Sequence, residues 1–512
     1  MTPKTIHTAV ICAVALCVAI LVGWDGRLHW DEPGYLYRTA YFDWRSLTSG
    51  PVASDFYVPR LLHLGILNVF FSVLGLGQTA VFAVRALYLI FLIGALGLGY
   101  WLLVETVNAK ERFELGYMAG IFAPIVPWLV GRTVSEIPGL FLTALTLFCL
   151  HRFVTLKGRW VWLAIGGIAL GCVVLTRNNL VFALPSYVIA LLLFPTVRRE
   201  RFRLVTGAFA VCLGGVLVFV ALMYVMGITF ENYLGGVRGA LNETAPWIAI
   251  LYFTSLEGGL VFLALPLAFL FGSRRDASFM TVWFILASLP LYILLDDIEA
   301  RYLLPNIFGL LGLAGVAGVG LHARLGNLSF GRKTLLFGAI LLLLVVTGKF
   351  SQRFMSYEVD MREVDQIIDY LHTRYGAGGF TLLVPDDHTD FRYLRVAYPD
   401  LSVFIVREQP ETGGSELFGT RIIRSLEELK GISGPFVYFG FESNFTVANL
   451  RSLIKELPIP TAPENWIIGE IAKMETRRPI EESWMWAHPG ICFDKFGGTS
   501  HYRFAEVRVS PC

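Results

Sequence analysis

The chain has 512 residues, of which 55% are hydrophobic and 16% charged, and its mean hydropathy is +0.60. That little charge at this length excludes an ordinary soluble globular protein and points to one that crosses a membrane many times. The net charge of +2 hides a split: residues 1–350 balance to +8 and residues 351–512 to −6. The tail therefore reads as a separate soluble unit, large enough to bury its own core, and its acidic balance argues against nucleic acid as a partner.

Ile6–Val22 follows one early cation, Lys4, and lacks a small-residue cleavage site. It reads as a retained first helix over 6–24 rather than a cleaved signal peptide. Further apolar runs predict spans near 80–104, 115–130, 137–150, 161–175, 180–195, 205–226, 248–271, 279–295, 302–321 and 334–350, eleven in all. Leu61–Leu76 is apolar but short and holds His63 and Asn68. It is expected to lie along the membrane surface, or to dip into it, within a long external loop over 25–79. If it crosses instead, the spans number twelve and the later loops change sides.

Lysine and arginine set the orientation. With eleven spans the cytoplasmic segments hold 15 of them and the external loops 8, and the run Arg198-Arg199-Glu200-Arg201-Phe202-Arg203 is the firmest anchor. The external loops hold 11 acids against five inside. The soluble unit, 351–512, emerges on that acidic, extracytoplasmic face. A bacterial inner or plasma membrane suits this layout.

Within the tail, Val359–Tyr375 and Val447–Glu456 are helix-like, and Phe380–Val384, Leu401–Val406 and Pro435–Phe439 are strand-like. The alternation predicts an α/β domain with a largely parallel sheet. Asp386-Asp387-His388 after a strand suits either a cation or a solvated loop. Cys12, Cys17, Cys149, Cys172 and Cys212 fall in apolar runs and read as small hydrophobes. Cys492 and Cys512 are either a disulfide closing the C-terminus or two free thiols.

Four polar clusters fall on the external side. The first loop carries Asp31-Glu32, then Tyr35, Tyr37 and Arg38, and later Asp55, Pro59-Arg60 and His63. Two tight turns follow, Arg132-Thr133-Val134-Ser135-Glu136-Ile137-Pro138 and Thr176-Arg177-Asn178-Asn179. The fourth cluster, Asp296-Asp297-Ile298-Glu299-Ala300-Arg301-Tyr302-Leu303-Leu304-Pro305, enters the tenth span. Arg85 and Glu257 lie a turn or more inside the second and eighth spans. A single charge at a helix end is ordinarily a snorkelling side chain. Repeated turns that pair arginine with acid are harder to explain that way, because ionisable groups at membrane depth are costly without partners or a function.

Such a set suits a sugar joined to a lipid through one phosphate. An acceptor hydroxyl must lose a proton as it attacks the anomeric carbon, which asks for a positioned carboxylate. The leaving phosphate gains charge as its bond to the sugar breaks, so arginines aimed at it favour the transition state over the ground state. Every basic residue in the external loops is arginine, whose planar fork matches phosphate better than lysine does.

The order of these motifs resembles the GT-C superfamily of integral-membrane glycosyltransferases, in the branch of protein O-mannosyltransferases and lipid A aminoarabinose transferases. The resemblance covers about residues 5–350. It rests on Trp30-Asp31-Glu32, Pro59 ahead of Leu74-Gly75-Leu76-Gly77 and Arg85, Ser135-Glu136-Ile137-Pro138, Thr176-Arg177 and Arg301-Tyr302-Leu303-Leu304-Pro305. It implies a polyprenyl-phosphate sugar donor, a hydroxyl on a glycolipid, glycan or protein as acceptor, transfer outside the cytoplasm and inversion at the anomeric carbon. The family's catalytic acid falls on Asp31 or Glu32, with Asp31 favoured as base. Arg301 and Arg177 become candidates for the donor phosphate, with Arg60 and Tyr302 beside them. Glu136, Arg132, Asp55 and His63 become candidates for orienting the acceptor or an arginine. Metal dependence varies across the superfamily, which leaves room for a divalent cation among Asp31, Glu32 and Asp55; no other cofactor is implied. Two rival readings use external charges as well: a transporter or flippase of a lipid-linked glycan, and a lipid-linked glycan ligase or polymerase. The clusters gather at one face and no internal repeat is evident, which favours the transferase over the transporter.

Overall fold

Apolar runs in a bilayer must close their backbone hydrogen bonds internally, and the described residues up to Gln352 accordingly fold almost wholly as helices, the two-residue strand Arg27–Leu28 apart. The computed structural model describes residues 13–14, 16–21, 23–24, 27–28, 31–41, 60–108, 112–156, 159–194, 201–238, 258–294, 304–327, 330–352, 359–385, 390–406, 416–417, 420–432, 434–441, 485–486, 488–499 and 502–509. Contacts divide the chain into two compact units. A helical unit comprises Met1–Asp25, Trp44–Gly65 and Arg85–Gln352, and a sheet-bearing unit comprises Gly26–Asp43, Ile66–Val84 and Arg353–Cys512.

Among the described residues, four helices are long and apolar enough to cross a membrane: Gln78–Thr106, Glu136–Thr155, Arg201–Val225 and Leu304–Arg324. Their surroundings differ. The most apolar stretch of Leu304–Arg324 is 83% buried in protein, whereas that of Arg201–Val225 is only 17% buried. The first is a central helix and the second a peripheral one. Phe202, Val205, Phe209, Leu213, Val216, Val220 and Tyr224 form the exposed stripe of Arg201–Val225. In water such a stripe would drive aggregation; in hydrocarbon it is the natural surface.

Without a hydrophobic force between helices in lipid, close packing has to supply the attraction, and small residues supply the closeness. The helices Trp160–Val174 and Arg201–Val225 meet through glycines. A Cβ placed on Gly167 would lie 3.1 Å from Gly214 Cα, and one on Gly171 would lie 2.8 Å from the Gly215 carbonyl oxygen. A polar clasp joins the helices Gln78–Thr106, Glu136–Thr155 and Ala183–Leu193. Glu105 pairs with Arg152 at 3.0 Å and with His151 Nε2 at 3.4 Å. His151 Nδ1 lies 2.9 Å from the Tyr187 hydroxyl.

Several expected spans differ in detail. The run 115–130 is not one helix: it is Phe113–Gly120, a turn, and Ile125–Leu129. Pro124 explains the break, since proline lacks an N–H and cannot continue the preceding helix, whereas Pro127 falls in the first turn of the second helix, where proline is tolerated. The run 180–195 opens as a 3₁₀ turn, Asn178–Phe182, before the helix Ala183–Leu193. The described part of 248–271 likewise opens as Gly259–Leu263 in 3₁₀ form and continues as Ala264–Phe271. Leu61–Leu74 is a helix of 14 residues, about 21 Å long and so shorter than the hydrocarbon core of about 30 Å.

In the second unit, seven strands form one sheet in the order β5-β6-β4-β3-β7-β9-β8. They are β3 Thr381–Pro385, β4 Ser402–Val406, β5 Glu416–Leu417, β6 Thr420–Ile423, β7 Phe436–Phe441, β8 Ile491–Gly498 and β9 Tyr502–Val509. The four strands β6, β4, β3 and β7 run parallel, as expected. β9 and β8 do not: β9 pairs antiparallel with β7, and β8 with β9. The sheet is therefore mixed rather than largely parallel. The alternation in Tyr502-Arg503-Phe504-Ala505-Glu506-Val507-Arg508-Val509 carries that strand, with Tyr502, Phe504, Ala505 and Val507 buried. The helix Met361–Tyr375 buries Val364, Ile367, Ile368 and Leu371 along one face. Its first turn is capped by the Asp360 carboxylate, which accepts from the backbone of Arg362 at 3.1 Å and Glu363 at 3.4 Å. The expected helix Val447–Glu456 and the Asp386-Asp387-His388 run lie outside the described residues.

This unit also gathers earlier chain. β1 (Arg27–Leu28) pairs antiparallel with β2 (Val359–Asp360), and the helix Asp31–Tyr41 packs on Asp390–Ala397. Gly77 N–H donates to the Val396 carbonyl at 2.9 Å. The Gln78 amide donates to the Tyr398 hydroxyl at 2.7 Å, and that hydroxyl donates to Asp365 at 2.6 Å. Tyr393 donates to the same carboxylate oxygen at 3.1 Å.

Burial lifts the Asp365 carboxyl above the usual carboxylate range, and the bonds from Tyr398, Gln78 and Tyr393 only partly offset it. The folded chain then holds its proton more tightly than the unfolded chain. Stability from this group is fully present below the ordinary carboxylate pKa and is lost as pH rises through the raised one. Thermal melts followed by circular dichroism are expected to show a midpoint that falls with rising pH in that window. Asp365→Asn is expected to flatten the profile; an unchanged slope would remove this group as its source.

Candidate functional site

Charges buried in the helical unit define the candidate site. Glu136 opens the helix Glu136–Thr155 and is completely buried. A carboxylate there meets the partial positive charge of the helix N-terminus. One of its oxygens pairs with Arg177 Nη2 at 3.1 Å, and the other accepts from the Ser135 hydroxyl at 3.2 Å. Arg177 is 4% exposed and sits in extended backbone just past the helix Trp160–Val174. The two strands of this contact come together because residue 139 is glycine. A Cβ there would lie 2.7 Å from Leu180 Cδ1, 3.2 Å from Arg177 Cβ and 3.7 Å from Thr176 Cγ2, so a larger residue would crowd the turn that carries Arg177.

A third segment joins them. Leu62 N–H donates to the Leu175 carbonyl at 3.0 Å, which sets Arg60 to His63 beside the Thr176-Arg177 turn. Arg60 is buried, and His63 is buried with its Nδ1 2.6 Å from the Tyr88 hydroxyl. The rings of His63 and Tyr88 meet edge to face at 5.6 Å.

Arg85 and Arg132 occupy a neighbouring knot. Arg85 donates through Nε to the Gly131 carbonyl and lies over the Trp24 ring, 5.0 Å from its centroid. Gly131 has φ +73°, and a Cβ there would come within 2.9 Å of Arg85 Nη2; both the left-handed backbone and the close arginine require glycine. Arg132 is fully buried, donates through Nε to the Trp128 carbonyl at 3.1 Å and lies over the Trp128 ring. Aromatic faces lower the cost of holding these cations out of water.

The acidic pair belongs to the second unit. Expected in a loop, it begins a helix instead, Asp31–Tyr41. Pro33 is tolerated in the first turn, where its missing N–H costs no hydrogen bond. Glu32 is completely buried, as are Tyr35 and Tyr37 nearby. Thr39 donates to the Tyr35 carbonyl at 2.7 Å, and Asn68 donates to the Thr39 carbonyl at 3.2 Å. The Asp31 side chain, Asp55, Glu257, Arg301 and Tyr302 lie outside the described residues. Leu304 and Pro305, which end the Arg301 motif, are buried.

Cys492 in β8 is disulfide-bonded, and Cys512 lies outside the described residues. Cys17, Cys149, Cys172 and Cys212 are free thiols. Among the described residues no group of three or more His, Cys, Asp or Glu side chains could hold a metal ion.

The structure thus brings together Glu136, Arg177, Arg60 and His63, and sets Arg85 and Arg132 in one knot. Tyr88 and Trp24 are partners that the sequence reading passed over. Tyr88 lies three residues beyond Arg85, one turn along the same helix, a spacing that could have found it. Trp24 carries no comparable signal.

No family model matches the sequence, and no curated protein matches it. Solved structures do match in fold. ArnT from Cupriavidus metallidurans, in the apo state, superposes with a TM-score of 0.55 at 16% identity, over 85% of this chain and 93% of that one. The same protein bound to undecaprenyl phosphate gives the same values. AglB, the archaeal oligosaccharyltransferase from Archaeoglobus fulgidus, gives a TM-score of 0.46 at 11% identity over 79% of this chain and 65% of that one. The likeness is one of fold: like ArnT, this chain is a multi-helix protein, and its C-terminal part carries a sheet.

Breaking a buried ion pair leaves one charge uncompensated, at a cost of roughly 3–5 kcal/mol. Glu136→Ala and Arg177→Ala are each expected to lower stability by about that amount, read as a fall in the thermal midpoint of the purified protein. An unchanged midpoint in either variant would show that the pair does not hold these segments together.

Proposed function

We propose that this chain is an integral-membrane glycosyltransferase that moves a sugar from a polyprenyl-phosphate donor to a hydroxyl of a glycolipid, glycan or protein. Transfer takes place on the extracytoplasmic face, with inversion at the anomeric carbon. The observation that carries the reading is the buried Glu136–Arg177 pair, at 3.1 Å, within a fold shared with a protein whose structure holds undecaprenyl phosphate. An apolar core has no reason to retain such charges, since a hydrophobic pair of similar volume is often as stable or more so.

The roles follow from the chemistry of each side chain. Asp31 is the general base, with Glu32 as its partner or substitute, and takes the proton from the attacking hydroxyl. Arg177, with Arg301, Arg60 and Tyr302, receives the leaving phosphate as its second negative charge develops. Glu136 holds the Arg177 guanidinium at a fixed angle, so the cation need not reorganise during the reaction. Arg132, His63, Asp55, Arg85 and Glu257 form the surrounding polar set. Asp31, Glu32 and Asp55 are the acids that a divalent cation would use.

The topology is part of the same reading: eleven spans, with 351–512 outside the cytoplasm of a bacterial cell. The disulfide at Cys492 supports an oxidising compartment for that domain, and Cys512 is the proposed partner.

The test is transfer of labelled sugar by the purified full-length protein from a panel of polyprenyl-phosphate sugars. Label is followed into glycolipid, cell-wall glycan and protein. Wild-type protein is expected to transfer from at least one donor. Asp31→Asn is expected to lower turnover by about 100-fold or more while still binding the donor. Full turnover in that variant, with loss in Glu32→Gln, would move the base to Glu32. Lipid binding without transfer from any donor would favour the flippase.

A further inference from the structure

The turn that holds Arg177 contains a second buried polar side chain with a different character. Asn179 is 8% exposed, and among the described residues neither its amide nitrogen nor its amide oxygen has a hydrogen-bond partner. It lies in the 3₁₀ turn Asn178–Phe182, one residue beyond Asn178 and two beyond Arg177. That turn packs against the helices Glu136–Thr155, Trp160–Val174, Ala183–Leu193 and Arg274–Leu294. A buried carboxamide lacking every partner is rare, because each unpaired group forfeits its hydration without replacement. Asparagine is also a poor choice for a purely structural position in a 3₁₀ turn among apolar helices, where leucine would pack without that cost.

The chemistry of the group limits what it would bind. A carboxamide is neutral and offers two donors and an acceptor together. It adds little charge stabilisation to a phosphate, which the neighbouring guanidinium already serves. It complements a neutral ligand that both donates and accepts, and a sugar hydroxyl does so. Arg177 and Asn179 stand two residues apart, at most about 7 Å along the chain, so one turn carries both a guanidinium and a carboxamide. A glycosyl phosphate presents both a phosphate and sugar hydroxyls, the two kinds of group that an arginine and an amide complement.

We infer that Asn179 is the residue that recognises a ring hydroxyl of the donor sugar, and so sets which sugar this protein accepts. The inference rests on the proposed glycosyltransferase reading and adds to it a determinant of donor choice. It separates two jobs within one turn: Arg177 holds the part common to all donors, and Asn179 reads the part that differs among them.

The experiment uses full-length protein in nanodiscs, with undecaprenyl phosphate, an undecaprenyl-phosphate sugar that supports transfer, and its singly deoxygenated analogues. Wild-type protein is expected to lose roughly ten- to a hundred-fold in kcat/KM on one deoxy donor. Asn179→Leu is expected to lose the same factor on the complete donor and nothing further on that deoxy donor. Its affinity for undecaprenyl phosphate is expected to stay unchanged, and its thermal midpoint to stay level or rise. Asn179→Ala provides the same comparison should the leucine variant fail to fold. Equal losses on complete and deoxy donors, weakened undecaprenyl phosphate binding, or undiminished transfer by the variant would each overturn the inference while leaving the glycosyltransferase reading in place. A wild-type enzyme indifferent to every deoxygenation would do the same without any variant. Absence of transfer from any donor by wild-type protein would overturn that reading, and this inference with it.

Discussion

The pairing of Glu136 with Arg177 is the constraint around which the helical unit is arranged. Two ionised groups taken out of water need each other and further hydrogen bonds, and the local chain is shaped to provide them. Helix Glu136–Thr155 starts at the acid, so its backbone dipole adds to the arginine's field. Ser135 supplies a hydroxyl to the second carboxylate oxygen. Gly139 lets the Thr176-Arg177 turn approach the helix. The Leu62–Leu175 backbone bond then fastens the Arg60–His63 segment to the same turn. Remove the pair, and the reason for each of these local choices goes with it.

Lipid as solvent explains the rest of that unit. Arg201–Val225 shows an apolar stripe outward and Leu204, Gly207, Val211 and Gly215 inward, the reverse of what a soluble bundle would reward. Leu304–Arg324, mostly enclosed by protein, carries seven glycines and alanines from Gly309 to Gly320 that admit its neighbours closely. Polar groups in this setting are clustered instead of scattered. One cluster surrounds Glu136, and another joins Glu105, His151, Arg152 and Tyr187 at the far end of the same helix. The second cluster has its internal partners and reads as a fastening between helices.

Much of this was legible in the sequence, for reasons that differ from residue to residue. Glu136 and Arg177 stood out because they fall in tight turns between apolar runs, where repeated arginines and acids at membrane depth are costly without partners or a function. The helix Met361–Tyr375 and the parallel strands followed from periodicity. The break near Pro124 was written in that proline, but hydropathy averaged over a window hides it. The helix at Asp31–Tyr41 was obscured by Pro33 and Gly34 near its start. Other features depended on contacts that no local pattern encodes. The Gln78–Tyr398–Asp365 chain joins residues 320 positions apart at its first bond. The antiparallel arrival of β9 beside β7 is a choice of topology, although the strand itself was readable. Asn179 was visible as part of a polar turn, yet only its burial without partners distinguishes it from its neighbour Asn178.

The central claim is that the Glu136–Arg177 pair is kept for a lipid phosphate and not for stability. The double substitution Glu136→Leu with Arg177→Leu separates these purposes, because exchanging both charges for apolar groups leaves no uncompensated ion. Undecaprenyl phosphate affinity and thermal midpoint are measured together on the purified double variant. The account predicts a midpoint close to wild type with affinity reduced by at least about ten-fold, the loss of one charge-assisted contact. Affinity equal to wild type in a folded double variant would contradict it, and would leave the pair as a structural fastening alone.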